Sequence, residues 1–246
     1  MRAMPAVLVS LLSAATLTAQ GTGRVLDLGH PLAETDPSWS GEKVFTRTGT
    51  TGEGFAMGKF STDEHFGTHL DAPVHAGGVW TTDQIPVDRL VRPGYCIHVE
   101  AEAAKDEDYR LTRDDVVRFE ARAGRIPEGA IVLVATGWDG RWPDRKRYMN
   151  EREGVKHFPG LSVEAGALLA RERKVYGIAI DTPSIDYGPS SKFETHHTTM
   201  PAQVYHVENA ANLTKLPASG FTVVVAPIDV LGGSGGPTRI YALLRE

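Results

Sequence analysis

HFGTHLDAPVH, from His65 to His75, places three imidazoles and a carboxylate within eleven residues. The candidate ligands His65, His69, Asp71 and His75 are separated by four, two and four positions. These are all even steps, so an extended chain with a side-chain period of two would turn them to one side. A helix would not. His65 and His69 could share a helical face at i and i+4, but Gly67 lies between them and Pro73 follows Asp71, where an interior proline costs ~3 kcal/mol. The stretch therefore reads as a bent, extended loop. It is distinct from the helical HExxH of zinc proteases, because no glutamate stands beside the first histidine in the required place. Neutral imidazole suits first-row ions such as zinc, and a carboxylate oxygen extends the choice to manganese. Gly67 would let the backbone pass close to an ion, and Thr68 could offer a hydroxyl behind the ligands. The competing reading is a hydrogen-bonded histidine cluster in a polar turn.

Outward from this stretch, strand-like and helix-like segments alternate. Residues 25–28, 95–99, 131–135, 176–180, 222–226 and 240–244 are short apolar runs, several of them continuous enough to imply burial on both faces. Thr112 with Asp115 has the form of a capping box ahead of VVRFEARAG, and Ser162 can cap VEAGALLARER. The pattern predicts a single α/β or α+β domain. The glycine-rich segment 232–236 reads as a loop, without the lysine and following helix of a phosphate loop.

HFGTHLDAPVH resembles the HxGTHxDxPxH signature of the cyclase family, which includes bacterial-type kynurenine formamidases and isatin hydrolases. The resemblance continues in order along the chain: DLGHPL and PSW early, VLVATGW at 132–138, FPGLS at 158–162, GIAIDTPSID ending at Asp186, HHTTMPAQVYHVENAANL from His196, and GGSGGPTR near the end. It implies the family's swivelling β/β/α fold. It also implies His65, His69 and Asp71 as metal ligands, with His75 as an acid–base histidine. In two-metal members a later histidine and glutamate twelve residues apart complete the site, and His196 and Glu208 have that spacing. His197 and His206 compete with His196 on chemical grounds, and Pro201 could begin a helical segment carrying Glu208. One or two ions, zinc or manganese, and a homodimer or larger assembly are the family expectations.

The charge balance excludes other classes. The formal net charge is −5, and no basic run offers a nucleic-acid surface. Cys96 is the sole cysteine, which rules out a disulfide framework and a cysteine-based zinc cluster and leaves it as a small buried hydrophobe. Residues 1–19 read as a signal peptide, with Arg2 ahead of an apolar stretch from Ala6 to Leu17 and small residues before Gln20. That stretch is too short to span a bilayer, which needs ~20 residues. The expectation is an exported protein, periplasmic or secreted, whose domain covers residues 20–246, with no membrane span after the signal is removed.

Phe66 and Trp80 flank the histidine motif and are the expected walls of an aromatic substrate pocket; Trp39, Phe55 and Trp138 default to core packing. Asp181 at a strand end could face the site, or with Asp186 cap the turn around Pro183. The function these residues imply is hydrolysis of a carbon–nitrogen bond in an aryl amide or lactam of a small molecule, with His75 moving the proton. The alternatives are an exported binding protein without turnover and a metal-dependent dehydratase or cyclase.

Overall fold

The apolar runs become strands because β-branched and aliphatic side chains fit a pleated surface that is buried on both faces. The computed structural model describes residues 23–52 and 54–245. The expected signal peptide lies outside them. The strands are β1 (Val25–Asp27), β2 (Thr46–Gly52), β3 (Phe55–Ser61), β4 (His69–Asp71), β5 (Val91–His98), β6 (Arg110–Leu111), β7 (Ile131–Ala135), β8 (Gly160–Leu161), β9 (Gly177–Ile180), β10 (Tyr205–Glu208), β11 (Phe221–Pro227) and β12 (Gly235–Leu244). The helices are α1 (Glu100–Ala103), α2 (Arg113–Ala123), α3 (Arg145–Met149), α4 (Val163–Ala167) and α5 (Glu194–Thr199).

Eight strands form one sheet in the order β1-β12-β11-β5-β7-β9-β10-β4, and β4 returns to pair with β12. The long β12 makes this closure possible. Its early residues pair with β4, Gly235 opposite Asp71, and its late residues pair with β1, Val25 opposite Leu243. Strands β5, β7, β9 and β10 run parallel, each joined to the next by a crossover carrying helices, as parallel pairing requires.

Alternation along each strand then sorts two cores. Cys96, Leu133, Ala135, Ala179, Val207, Val223 and Ile240 meet in one buried cluster inside the ring. Their neighbours Ile97, Val132, Val134, Ile178 and Ile180 point the other way and are covered by Val116 and Phe119 of α2 and by Ala165, Leu168 and Leu169 in and after α4. Both caps form as expected. Thr112 Oγ1 accepts from the Asp115 amide at 3.1 Å, Asp115 Oδ2 accepts from the Thr112 amide at 2.7 Å, and Ser162 Oγ accepts from the Ala165 amide. A π-helical turn, Leu168–Arg173, extends α4 to a left-handed Lys174.

Two features depart from the sequence reading. β2 and β3 form a separate antiparallel ribbon, Thr46 opposite Ser61, in a segment that carries no run of buried-type residues. The segment after Pro201 is only a 3-10 turn, Met200–Ala202, and Glu208 stands on β10 rather than on a helix.

Candidate metal centre

The ligand candidates converge because β4 and β10 are antiparallel neighbours, with His206 opposite Asp71 and Glu208 opposite His69. Period two puts His69 and Asp71 on one face of β4, as expected, and His206 and Glu208 on the adjoining face of β10. His65 reaches the same place across the bend at Gly67, and His75 from a 3-10 turn, Pro73–Ala76, so neither owes its position to strand alternation. Gly67 is needed for the bend itself. Its φ is +64°, and a Cβ there would come within 2.2 Å of Leu32, whereas glycine carries no such penalty. Thr68 works behind the site, accepting from the His30 amide at 2.9 Å and donating to the Asn209 carbonyl at 2.6 Å.

Each imidazole has one nitrogen engaged behind it and turns the other toward the carboxylates. His69 Nδ1 donates to the Gly67 carbonyl at 2.9 Å, leaving Nε2 3.2 Å from Asp71 Oδ1 and 3.6 Å from Glu208 Oε2. His196 Nδ1 meets Asp186 Oδ2 at 2.6 Å, and its Nε2 lies 3.3 Å from Glu208 Oε1 and 3.6 Å from Asp71 Oδ2. His65 Nδ1 lies 2.6 Å from Asp71 Oδ1. His206 Nε2 meets the Thr199 hydroxyl at 2.8 Å, and that hydroxyl donates onward to the Thr195 carbonyl, so Nδ1 is the free side. Asp71 Oδ2 and His206 Nδ1 are buried with no hydrogen-bond partner among the described residues. Orphaned buried polar atoms are costly unless something satisfies them.

The charge balance points to a cation. Burial works against a charged His69, yet Asp71 and Glu208 outweigh it and push its pKa up to about 9. His196 is likewise raised well above the usual value, against burial, by Asp186, Asp71 and Glu208. Burial would raise Asp71, but the surrounding His69, His196 and His65 hold it well below the ordinary carboxylate range. In the metal-free protein, protons therefore occupy the space between nitrogen and oxygen. A divalent ion does the same with more charge. Among the described residues there are two ligand groups, His65, His69 and Asp71 on one side and Asp71, His196, His206 and Glu208 on the other, with Asp71 in both. The donor set of imidazole and carboxylate fits such an ion.

The group floors a cavity of about 900 Å³ whose walls include Trp39, Val44, Met149, Pro183 and Phe193. His75 stands in this cavity, its ring centroid 4.1 Å from that of His65. Partial burial of its ring, with the neighbouring imidazoles, pushes its pKa down to about 4 despite Asp71. His75 is thus neutral at pH 7 and able to accept a proton.

The expected aromatic walls need correction. Phe66 is 3% exposed and stacks on Phe45 at 5.9 Å, because its neighbour His65 takes the cavity side and the next side chain must face away. Trp80 packs against the ring core with the Arg89 guanidinium 4.4 Å from its ring. The aromatic wall is instead Trp39 with Phe193, 6.0 Å apart. His197 is exposed at the cavity rim, whereas His196 and His206 are both buried in the ligand group.

Asp181 is a loop cap. It accepts from the amides of Thr136 and Gly137 and from the Thr136 hydroxyl, and burial pushes its carboxyl up to about 7. Asp186 does more than cap a turn, since it orients His196. Asn209, which the sequence reading missed, donates to the Gly67 carbonyl at 2.7 Å and accepts from the Tyr148 hydroxyl. Its position one residue past Glu208 was the available signal.

A family model described as putative cyclase matches residues 26–187. The chain is 31% identical over 229 residues to isatin hydrolase of Roseibium aggregatum, covering 89% of this chain and 86% of the relative. It is 24% identical over 230 residues to a kynurenine formamidase of Salinibacter ruber, covering 90% of this chain and 97% of that protein. The solved structure of isatin hydrolase A from Ralstonia solanacearum matches with a TM-score of 0.84 and 34% identity, over 90% of this chain and 92% of that one. The closed strand ring, the histidine motif and the extent of these matches together place the chain in the cyclase family.

Proposed function

We propose that this chain is a metal-dependent hydrolase that cleaves the carbon–nitrogen bond of an aryl amide or lactam. The observation that carries the proposal is the set of imidazole nitrogens turned toward Asp71 and Glu208 on the floor of a cavity with an aromatic wall. The similarity to an isatin hydrolase and to a kynurenine formamidase supports the substrate class.

His65, His69 and Asp71 would hold a first ion; His196 and Glu208, with His206 beside them, would hold a second. The mixture of imidazole and carboxylate in the donor set favours zinc or manganese. When bound, a divalent ion supplies Lewis acidity to the substrate carbonyl and makes water acidic enough to be a nucleophile near neutral pH. His75, neutral at pH 7, accepts the proton of the attacking water and delivers it to the departing nitrogen as the carbon–nitrogen bond breaks. That delivery matters because an amide anion is a very poor leaving group. Trp39 and Phe193 flank the aryl ring and exclude water from it.

The working unit in this proposal is a homodimer. In support, Phe55, Met57 and Phe60 of the β2–β3 ribbon are 73%, 64% and 60% exposed, and an isolated two-stranded ribbon is marginal in water. Export directed by residues 1–19 completes the proposal, supported by the apolar stretch after Arg2.

The deciding experiment is turnover of isatin, N-formylkynurenine and simple esters by metal-replete protein, with elemental analysis of the same sample. Hydrolysis of a lactam or anilide with about one or two zinc or manganese ions per chain is expected. Metal-loaded protein that turns over none of the panel would sink the hydrolase reading and leave a binding protein.

A further inference from the structure

Glu64 precedes the first histidine of the motif and Ser234 precedes β12, so 170 positions separate them, yet the two side chains meet. Ser234 Oγ donates to Glu64 Oε2 at 2.5 Å, and the Ser234 amide donates to the same oxygen at 3.0 Å. The same Oγ lies 3.0 Å from His65 Nε2. A serine hydroxyl has one proton to give. With that proton committed to a carboxylate, Oγ can only accept from His65, so Nε2 is the donor to Ser234 and Nδ1 is the nitrogen turned to Asp71. The backbone makes the arrangement rigid. The Ser234 carbonyl accepts from the Ala72 amide at 2.9 Å, and Gly235 leaves room for the ring, since a Cβ there would lie 2.6 Å from His65 Cε1.

We propose that Glu64, acting through Ser234, is a positioning residue that fixes His65 to bind the ion through Nδ1, while His69 and His196 present Nε2. The proposal rests on the reading of the site as a metal centre. The carboxylate draws the hydroxyl proton, the hydroxyl oxygen draws the Nε2 proton, and Nδ1 becomes the more basic donor. Partners of this kind set ring orientation and ligand strength in metal sites. His196 has a direct carboxylate partner in Asp186; His65 has one at one remove, which lets a side chain one position away in sequence act on it without folding back on itself.

The test is zinc affinity, measured by competition with a chromophoric chelator, for wild type, Glu64→Gln, Ser234→Ala and Asp63→Asn. Asp63 is exposed and also lines the cavity, so Asp63→Asn removes the same charge next door without touching the relay. Glu64→Gln and Ser234→Ala should each lose ~10–100-fold in affinity, and Asp63→Asn should stay within about 3-fold, since an exposed charge is strongly screened. ¹⁵N spectra of histidine-labelled, zinc-loaded wild type should show one ligand ring bound through Nδ1 with its Nε2 protonated, lost in Ser234→Ala. Equal affinities for Glu64→Gln and Asp63→Asn, or a His65 bound through Nε2, would overturn the relay while leaving the metal centre standing. Failure of wild type to take up zinc or manganese would overturn the metal reading itself, and the relay with it.

Discussion

Two arcs of the same strand ring are built on opposite terms. Along β5, β7 and β11 the interior positions are Cys96, Leu133, Ala135, Val223 and Val225, all buried and all apolar. Along β4 and β10 the interior positions Leu70, Tyr205 and Val207 join that apolar cluster, but the opposite face buries His69, Asp71, His206 and Glu208. The first arc is stable because burying aliphatic surface is favourable whatever the pH or the ions present. The second is stable only while its charges are matched, because an unpaired buried charge costs several kcal/mol. Function sits on the conditional arc, and the unconditional arc holds it in shape.

The sharpest way to break this contrast is at Asp71, which belongs to both ligand groups. Asp71→Asn should abolish tight ion binding and cost on the order of 10⁴-fold in turnover, the equivalent of several kcal/mol of charge stabilisation. Elemental analysis alongside the assay decides it, and a fully loaded, active variant would show that the polar arc is not a metal site. His75→Ala should retain the first ion yet lose ~10²–10⁴-fold on an anilide. The loss should shrink on an activated ester, whose leaving group needs no proton. Equal losses on both substrates, with the ion retained, argue against proton transfer by His75.

On the apolar arc, Leu133→Ala should cost ~2–5 kcal/mol of unfolding free energy. Denaturant titrations with and without metal should give the same penalty; a penalty that depends on the ion would mean the two arcs are not separable.

The pH dependence of stability sharpens the comparison further. His69 rises from 6.5 to about 9 in the folded, metal-free protein, so the folded state holds a proton that the unfolded chain releases earlier. The stabilisation it brings is whole below pH 6.5 and is lost as pH rises through about 9. Metal-free protein should therefore lose ~1–3 kcal/mol over that interval, a size typical of such linkage, while metal-loaded protein should not, because the ion already occupies the proton's place. Parallel curves for the two forms would contradict the charge-matching account. The smallest effect is expected at His197. His197→Ala should change stability by less than ~0.5 kcal/mol, as for most exposed positions, and leave the ion content unchanged. Loss of an ion in that variant would promote His197 to a ligand.

Much of this was legible in the chain itself. The strands at 131–135 and 177–180 follow from continuous aliphatic runs, and both helix caps follow from Thr112, Asp115 and Ser162, because these signals are local. The histidine motif is local too, and it named His65, His69, Asp71 and His75 together. What lay beyond reach was decided by pairing between distant segments. Phe66 and Trp80 are near the motif in sequence, but strand direction and the bend at Gly67 turn them into packing, and Trp39 and Phe193 arrive at the cavity from elsewhere. Spacing alone could not choose among His196, His197 and His206; the turn of α5 buries the first and exposes the second, and antiparallel register sets the third opposite Asp71. Ser234 behind His65 is likewise a product of closure, whereas Asp186 meets His196 across the ten-residue turn into α5. Local composition determined which chemistry this protein can carry, because ligand types and strand propensities are properties of short segments. Only the closing of the ring by β4 against β12 decided which of those residues meet, because register between strands far apart in sequence is set by the whole core at once.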